Sequence, residues 1–342
     1  MHPCMGHDCC VHPVEGSRQI SEHPLDPIGD RAEARYPLSA LYEAARMYYV
    51  DGDNQAQIAT AMKISRPFVS RLLAEARRVG VVRIEVVNPE QHSTDDLAAT
   101  LRDALGLARV YLAPGDQSAR IRGGLAFQVN AALADMSLEP GDVLLVSSGR
   151  TIYELSQGPL PRLPGVVIAP TVGGQTEPEP WHQSNELART IAERSGGVPA
   201  FLFAQALPSP EMYESLQRDP SFQRVQRLWE AAKGALVAIG SPPASRQSIS
   251  RFIPTDDDSL LRSVGDVCLN FFDTDGATVQ FPGSERMVNT SVDVLRGIPF
   301  TVGVAVGADK VPSIASGAKT GLFRCLVTDT ATATAVLEHL RR

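Results

Sequence analysis

Long apolar runs are what this sequence lacks first. No stretch reaches the roughly 18 consecutive apolar residues that a membrane-crossing helix needs. The N-terminus has no apolar segment of the kind a secretory signal carries, so export is not expected. Cysteine is scarce as well. There are five, an odd number, and Cys268 and Cys325 stand far apart in strand-like runs. A reduced, cytoplasmic setting fits them better than a disulfide framework. What is present is ordinary: 43% hydrophobic residues, 21% charged residues and a net charge of −7 over 342 residues. That length predicts about two globular domains.

Residues 1–35 are polar, with scattered proline and glycine and no periodicity, and read as a disordered tail. His2, Cys4, His7, Cys9, Cys10 and His12 are metal-ligand types, but their spacing matches no closed zinc pattern. No metal site and no cofactor is expected.

The stretch 54–79 reads as a helix-turn-helix. Asn54 and Gln57 have the spacing of a capping box. Ile58, Ala59 and Met62 give the first helix a buried side, Lys63-Ile64-Ser65 is the turn, and Ser65 caps a second helix with Pro67 in its first turn. Val69, Leu72, Leu73 and Ala76 fall on one apolar face. The opposite face carries Arg66, Pro67, Ser70 and Arg71 at its start and Arg77 and Arg78 at its end. A recognition helix needs this layout, with a packed back, short polar groups and guanidinium groups for bases, and flanking cations for phosphates. From Lys63 to Arg83 there are six basic residues and one acid, within an acidic chain. That contrast is the electrostatic footprint of a local nucleic-acid site. A leading helix over 38–50, with Leu41, Ala45 and Tyr48 on one stripe, should pack on this pair. Gly80 should stop the second helix, and Val81–Val87 reads as a strand.

Asn88-Pro89-Glu90-Gln91 marks the boundary drawn here, giving a DNA-binding domain over 36–88 and a second domain over 89–342. The second part alternates short apolar runs (110–112, 142–146, 165–169, 198–203, 235–239, 267–272, 300–306, 322–327) with helical stretches near 93–107, 118–136, 184–195, 211–233, 311–319 and 330–341. That alternation predicts an α/β domain with a mostly parallel sheet covered on both faces. Ligands in such sheets sit beyond the carboxyl ends of the strands. Four polar loops follow apolar runs: 147–151, 171–176, 240–243 and 307–310. Arg150 and Lys310, from two of them, should sit at one sheet edge and clamp an anion. His182 reads as a surface residue.

The run LYEAARMYYVDGDNQAQIATAMKISRPFVSRLLAEARRVGVVRIEV resembles the N-terminal domain of SorC-type sugar-responsive transcriptional regulators. It has Tyr48-Tyr49, Gln55 to Ala59 and Ile64 to Leu73 in that family's order. Lys63 stands where the family usually has glycine, and Phe68 where a small polar residue is common. LLVSSGRTIYEL, IAPTVGGQ, SNELARTIAE, ALVAIGSPP, GDVCLNFFDTDG and VAVGADKVPSI resemble blocks of the same family's sugar-binding domain, whose fold is similar to sugar-phosphate isomerases and glucosamine-6-phosphate deaminase.

The resemblance implies a regulator of carbohydrate metabolism that binds double-stranded operator DNA under control of a sugar or sugar phosphate. It also implies a homodimer or homotetramer, with no membrane association. The expected DNA contacts are Gln55, Gln57, Ser65, Arg66, Pro67, Ser70, Arg71 and Arg77. The expected effector contacts are Ser148, Gly149, Arg150, Thr151, Gly174, Gln175, Asn185, Glu186, Asp273 and Lys310. The leucine stripe Leu97, Leu101, Leu105 and the faces of the second domain are candidate interfaces between subunits. The competing class is an isomerase- or deaminase-like enzyme with an appended DNA-binding domain. It is disfavoured because no histidine stands in the 147–151, 171–176 or 307–310 loops.

Overall fold

The computed structural model of the protein describes residues 35–82, 91–118, 120–246, 251–254 and 257–342. The Cys/His-containing tail, the expected strand beyond Val82 and the boundary at 88–90 lie outside the described residues. The chain divides into two compact units, 1–87 and 88–342.

The first unit is three helices: α1 (Leu38–Tyr49), α2 (Gln55–Ala61) and α3 (Arg66–Arg78). Leu41, Ala44 and Ala45 of α1 form one core with Ile58, Val69, Leu72, Leu73 and Ala76. Tyr48 stays exposed and meets Tyr49 edge-on. The capping box of α2 is complete: Asn54 Oδ1 accepts from the Ala56 and Gln57 N–H groups, and Gln57 Oε1 accepts from the Asn54 N–H. Lys63 has φ 56°, a left-handed backbone that costs a non-glycine residue about 1 kcal/mol. Ser65 holds the N-cap position of α3, yet its hydroxyl makes no capping hydrogen bond. Gly80, at φ 78°, turns the chain after α3.

The second unit opens with α4 (Gln91–Leu105), β1 (Arg109–Ala113), α5 (Ile121–Gly124), α6 (Ala126–Asp135), β2 (Val143–Val146), α7 (Arg150–Ser156) and β3 (Val167–Pro170). Then come α8 (Ser184–Ser195), β4 (Val198–Pro199), α9 (Pro210–Gln217), α10 (Pro220–Glu230) and β5 (Ala232–Gly240). After α11 (Asp258–Leu261) come β6 (Gly265–Val267), β7 (Asn270–Phe272), β8 (Thr278–Val279) and α12 (Val292–Gly297). The unit ends with β9 (Phe300–Val304), α13 (Val311–Thr320), β10 (Cys325–Asp329) and α14 (Thr330–Leu340).

The main sheet runs β1-β10-β9-β5-β2-β3-β4, and every neighbouring pair in it is parallel. One face is covered by α4, α10, α13 and α14. The other is covered by α6, α7 and α8. Strands buried on both faces need apolar residues at every position, which is why β2 reads VLLV rather than alternating.

Four expectations need correction. The stretch 118–136 is two helices, broken at Leu125 after Gly123-Gly124. The stretch 211–233 breaks at Asp219-Pro220, because proline lacks an N–H and restarts the helix, with Asp219 accepting from the Ser221 and Phe222 N–H groups. The apolar run 267–272 is a hairpin of β6 and β7. Cys268 and Leu269 turn it with φ 52° and 59°, both positive as a type I′ turn requires. The leucine stripe of α4 is not a free interface, since Leu101 and Leu105 are buried against the second unit's own core.

Candidate functional site

On the first unit, α3 presents Arg66, Pro67, Ser70, Arg71 and Arg77 to solvent. Among the described residues no carboxylate pairs with Arg66, Arg71 or Arg77. Arg78 differs: it binds the buried carboxylate of Glu75 at 2.6 Å. Gln55 is half-buried, Ser65 is exposed, and Gln57 is exposed with its Oε1 committed to the α2 cap. The Arg71 guanidinium lies over the Phe68 ring at 5.3 Å, and Tyr36 meets that ring edge-on at 5.1 Å. Phe68, one of the two departures from the family pattern, is therefore a shelf under Arg71 of α3.

On the second unit, the four polar loops follow β2, β3, β5 and β9. These strands are contiguous in the sheet, in the order β9-β5-β2-β3. Strands lie about 4.8 Å apart, so the β2 and β9 loops are roughly 10 Å apart, with the β5 loop between them. Gly149 (φ 118°) and Gly307 (φ 105°) turn the chain after β2 and β9 in a region that only glycine enters readily. Thr151 stands half-buried in the first turn of α7, directly after Arg150.

Arg150 and Lys310 do converge there. Arg150 lies over the Trp181 ring at 4.9 Å, and the Trp181 carbonyl accepts from the Gly149 N–H at 2.8 Å. Lys310 is half-buried. Burial pushes its ammonium below the ordinary lysine value, the nearby Arg246 guanidinium adds to this, Asp309 and Asp266 oppose it, and Arg150 adds a smaller push. Three cations thus share one sheet edge.

Arg246 is the member that sequence reasoning missed. Its Nε donates to the Ser241 carbonyl at 2.7 Å, and its Nη2 pairs with the buried Asp266 carboxylate. The pair crosses directly over Gly240, where any Cβ would collide with Asp266 and Arg246. Asp266 Oδ2 also accepts from the Leu269 N–H at 2.9 Å. The hairpin turn therefore helps to hold the pair in place.

A polar wall stands beside the cations. Gln175 Nε2 donates to Ser148 Oγ at 3.2 Å, and Gln175 Oε1 meets His182 Nδ1 at 2.9 Å. His182 is buried, not a surface residue, and burial lowers its pKa against the opposing pull of Glu177 and Glu179. Gly174 shapes this wall through the backbone: its N–H donates to the Ala204 carbonyl at 2.7 Å, and its carbonyl accepts from the Ala206 N–H.

Three expected contacts are engaged elsewhere. Asn185 uses both ends of its amide on the Leu202 backbone, at 2.8 and 3.1 Å. Glu186 is tied to Arg189 in an exposed pair. Asp273 caps the β7–β8 turn, accepting from the Asp275 and Ala277 N–H groups. Its neighbour Thr274 accepts from Lys319 Nζ near the end of α13, whereas Lys310 immediately precedes that helix. A ten-residue helix spans about 15 Å, which separates Asp273 from the cations.

Comparison with known proteins places this geometry. The family described as "Putative sugar-binding domain" matches residues 90–338. The deoxyribonucleoside regulator of Bacillus subtilis is 30% identical over 311 residues, covering 87% of this chain and 97% of its own. The sorbitol operon regulator of Klebsiella pneumoniae is 28% identical over 310 residues, covering 88% of this chain and 98% of its own. The crystal structure of that full-length regulator, SorC, superposes with a TM-score of 0.67 at 27% identity, over 88% of this chain and 98% of that one. These relatives are regulators, and the enzyme reading is set aside. With the family covering most of its length and regulators aligned nearly end to end, the chain belongs to the SorC-type family of sugar-binding transcriptional regulators.

Proposed function

We propose that residues 36–88 bind double-stranded operator DNA and that residues 89–342 bind a phosphorylated sugar that sets operator affinity. The observation that carries the effector class is the cluster of Lys310, Arg246 and Arg150 at the edges of β9, β5 and β2. Arg246 is paired with Asp266 and Asp309 stands beside Lys310, so three cations face two carboxylates and leave a net positive edge that a phosphate group neutralises and a neutral sugar does not. Ser148, Gly149, Thr151, Gly174, Gln175 and His182 then face the sugar hydroxyls. Asn185, Glu186 and Asp273 act on the fold around the site rather than on the ligand.

On DNA, Arg66, Ser70 and Arg71 read base edges, while Arg77, with the backbone and side chains around Gln55, Gln57, Ser65 and Pro67, meets phosphates and positions the helix. One helix-turn-helix reads few base pairs, so the working form is a homodimer or homotetramer in the cytoplasm. The effector acts by binding two subunit arrangements unequally, with a coupling of about 1–3 kcal/mol.

The test pairs two variants. Lys310→Ala should weaken binding of phosphosugars in calorimetry, keep basal operator binding, and lose or right-shift the response. Arg71→Ala should cost roughly 1–3 kcal/mol of specific operator binding and leave phosphosugar binding unchanged. A Lys310→Ala protein that responds to phosphosugars as the parent does refutes the crevice.

A further inference from the structure

A cavity stands apart from the cationic crevice in the second unit. It is an opening of about 420 Å³ between α9, α10 and α12 on one side and the β7–β8 hairpin on the other. That volume lies in the range of small-molecule sites, roughly 300–1,000 Å³.

Its chemistry is the reverse of the crevice. Among the described residues no lysine or arginine lines it, and two carboxylates, Glu230 and Glu285, do. A phosphate would be repelled there. Carboxamides dominate the polar lining. Asn270 Nδ2 donates to the Val267 and Thr290 carbonyls at 3.1 and 3.0 Å, and Asn289 Nδ2 donates to the Cys268 carbonyl at 2.9 Å. Both amides are thereby fixed, with their Oδ1 acceptors left for another donor. Gln226 and Gln280 supply adaptable donors and acceptors at the rim. The apolar part of the wall mixes aliphatic side chains with an aromatic pair, Phe222 and Trp229, packed edge-on at 6.2 Å. Fixed acceptors, adaptable amides and an aromatic pair, without cations, suit a ligand rich in hydroxyl donors and free of negative charge.

We propose that this cavity is a second ligand site, for an uncharged polyhydroxylated molecule, separate from the anion crevice.

The two tryptophans of the chain make the test clean, because Trp181 stands at the crevice and Trp229 at the cavity. The probes are sorbitol, xylitol, ribitol, D-ribose, D-glucose and D-fructose, each titrated at low millimolar concentration into the full chain. At least one should raise Tm saturably in the parent and equally in Lys310→Ala. The same probe should change Trp229 emission in Trp181→Phe. Both effects should vanish in Gln226→Ala/Gln280→Ala, whose altered side chains are surface or half-buried. No response to any probe overturns the proposal. So does a response lost in Lys310→Ala but kept in the double variant, which would place the ligand in the crevice. A halved particle mass for Gln280→Arg in light scattering also overturns it, since the cavity would then be covered by a second copy of the chain.

Discussion

Glu75 and Lys310 are two partly enclosed charges with opposite consequences. The Arg78 guanidinium and then the Arg35 N–H hold the Glu75 carboxyl down at about 2, against an ordinary 4.5. A carboxylate whose folded pKa is depressed stabilises the fold above its unfolded value and loses that contribution as pH falls toward the folded one. Glu75→Gln should therefore lower the Tm of the helix-turn-helix unit at pH 7, with the gap closing between pH 4.5 and about 2. A gap that stays constant down to pH 2 in calorimetric scans would remove this role.

Lys310 is shifted in the same direction, but there the fold disfavours the charged form, whereas at Glu75 it favours it. Its pKa is depressed mainly by burial, so the unfolded chain binds more protons over the window just below 10.5, and the fold gains stability as pH rises through that window. An anionic effector requires the charged ammonium. Phosphosugar affinity should thus fall with rising pH before an ordinary lysine would titrate, and Lys310→Arg should flatten the profile. Calorimetric titrations from pH 7 to about 10.5 would check both.

At the scale of elements, α4 illustrates how a stripe can mislead. Leu97, Leu101 and Leu105 lie on one face at helical spacing, and such a face buries against something. Spacing does not say whether that is the helix's own domain or another subunit. The structure answers with β1 and α14. Leu101 is fully buried, so Leu101→Ala should destabilise the second unit by about 2–5 kcal/mol in urea unfolding. Subunit mass in light scattering should not change under native conditions.

The same distinction separates what was legible in the sequence from what was not. The Asn54–Gln57 box, the Gly80 stop and the stacked apolar face of α3 are local, and three or four residues specify each one. The four crevice loops were legible because apolar runs that alternate with helices make a parallel sheet, which gathers carboxyl ends along one edge. The hairpin at Cys268-Leu269 was hidden, because neither residue is glycine or asparagine and the run stays apolar through its turn. That hid Asp273 as well: a single strand over 267–272 would have ended at the crevice, whereas the hairpin returns along α13. Arg246 was missed because its position depends on Asp266, twenty residues away and beyond any local signal.

At the scale of the whole molecule, the proposed function joins a sensor and a reader in one chain and couples them through a rearrangement of subunits. Light scattering should give a dimer or tetramer at working concentration, with and without operator DNA. A strictly monomeric mass in both would leave no subunit rearrangement for the effector to bias.

The sheet order has a consequence in time. The three helices of the first unit meet through close neighbours in sequence. In the second unit β1 pairs with β10, and β2 reaches β9 only through β5. Loop closure over such separations slows folding, whereas helical contacts form early. In refolding, the reader should be complete well before the sensor. On the proposed reading, for that interval the chain carries a folded reader with no sensor to govern it. The interval ends when β9 docks beside β5 and brings Lys310 across to Arg246 and Arg150.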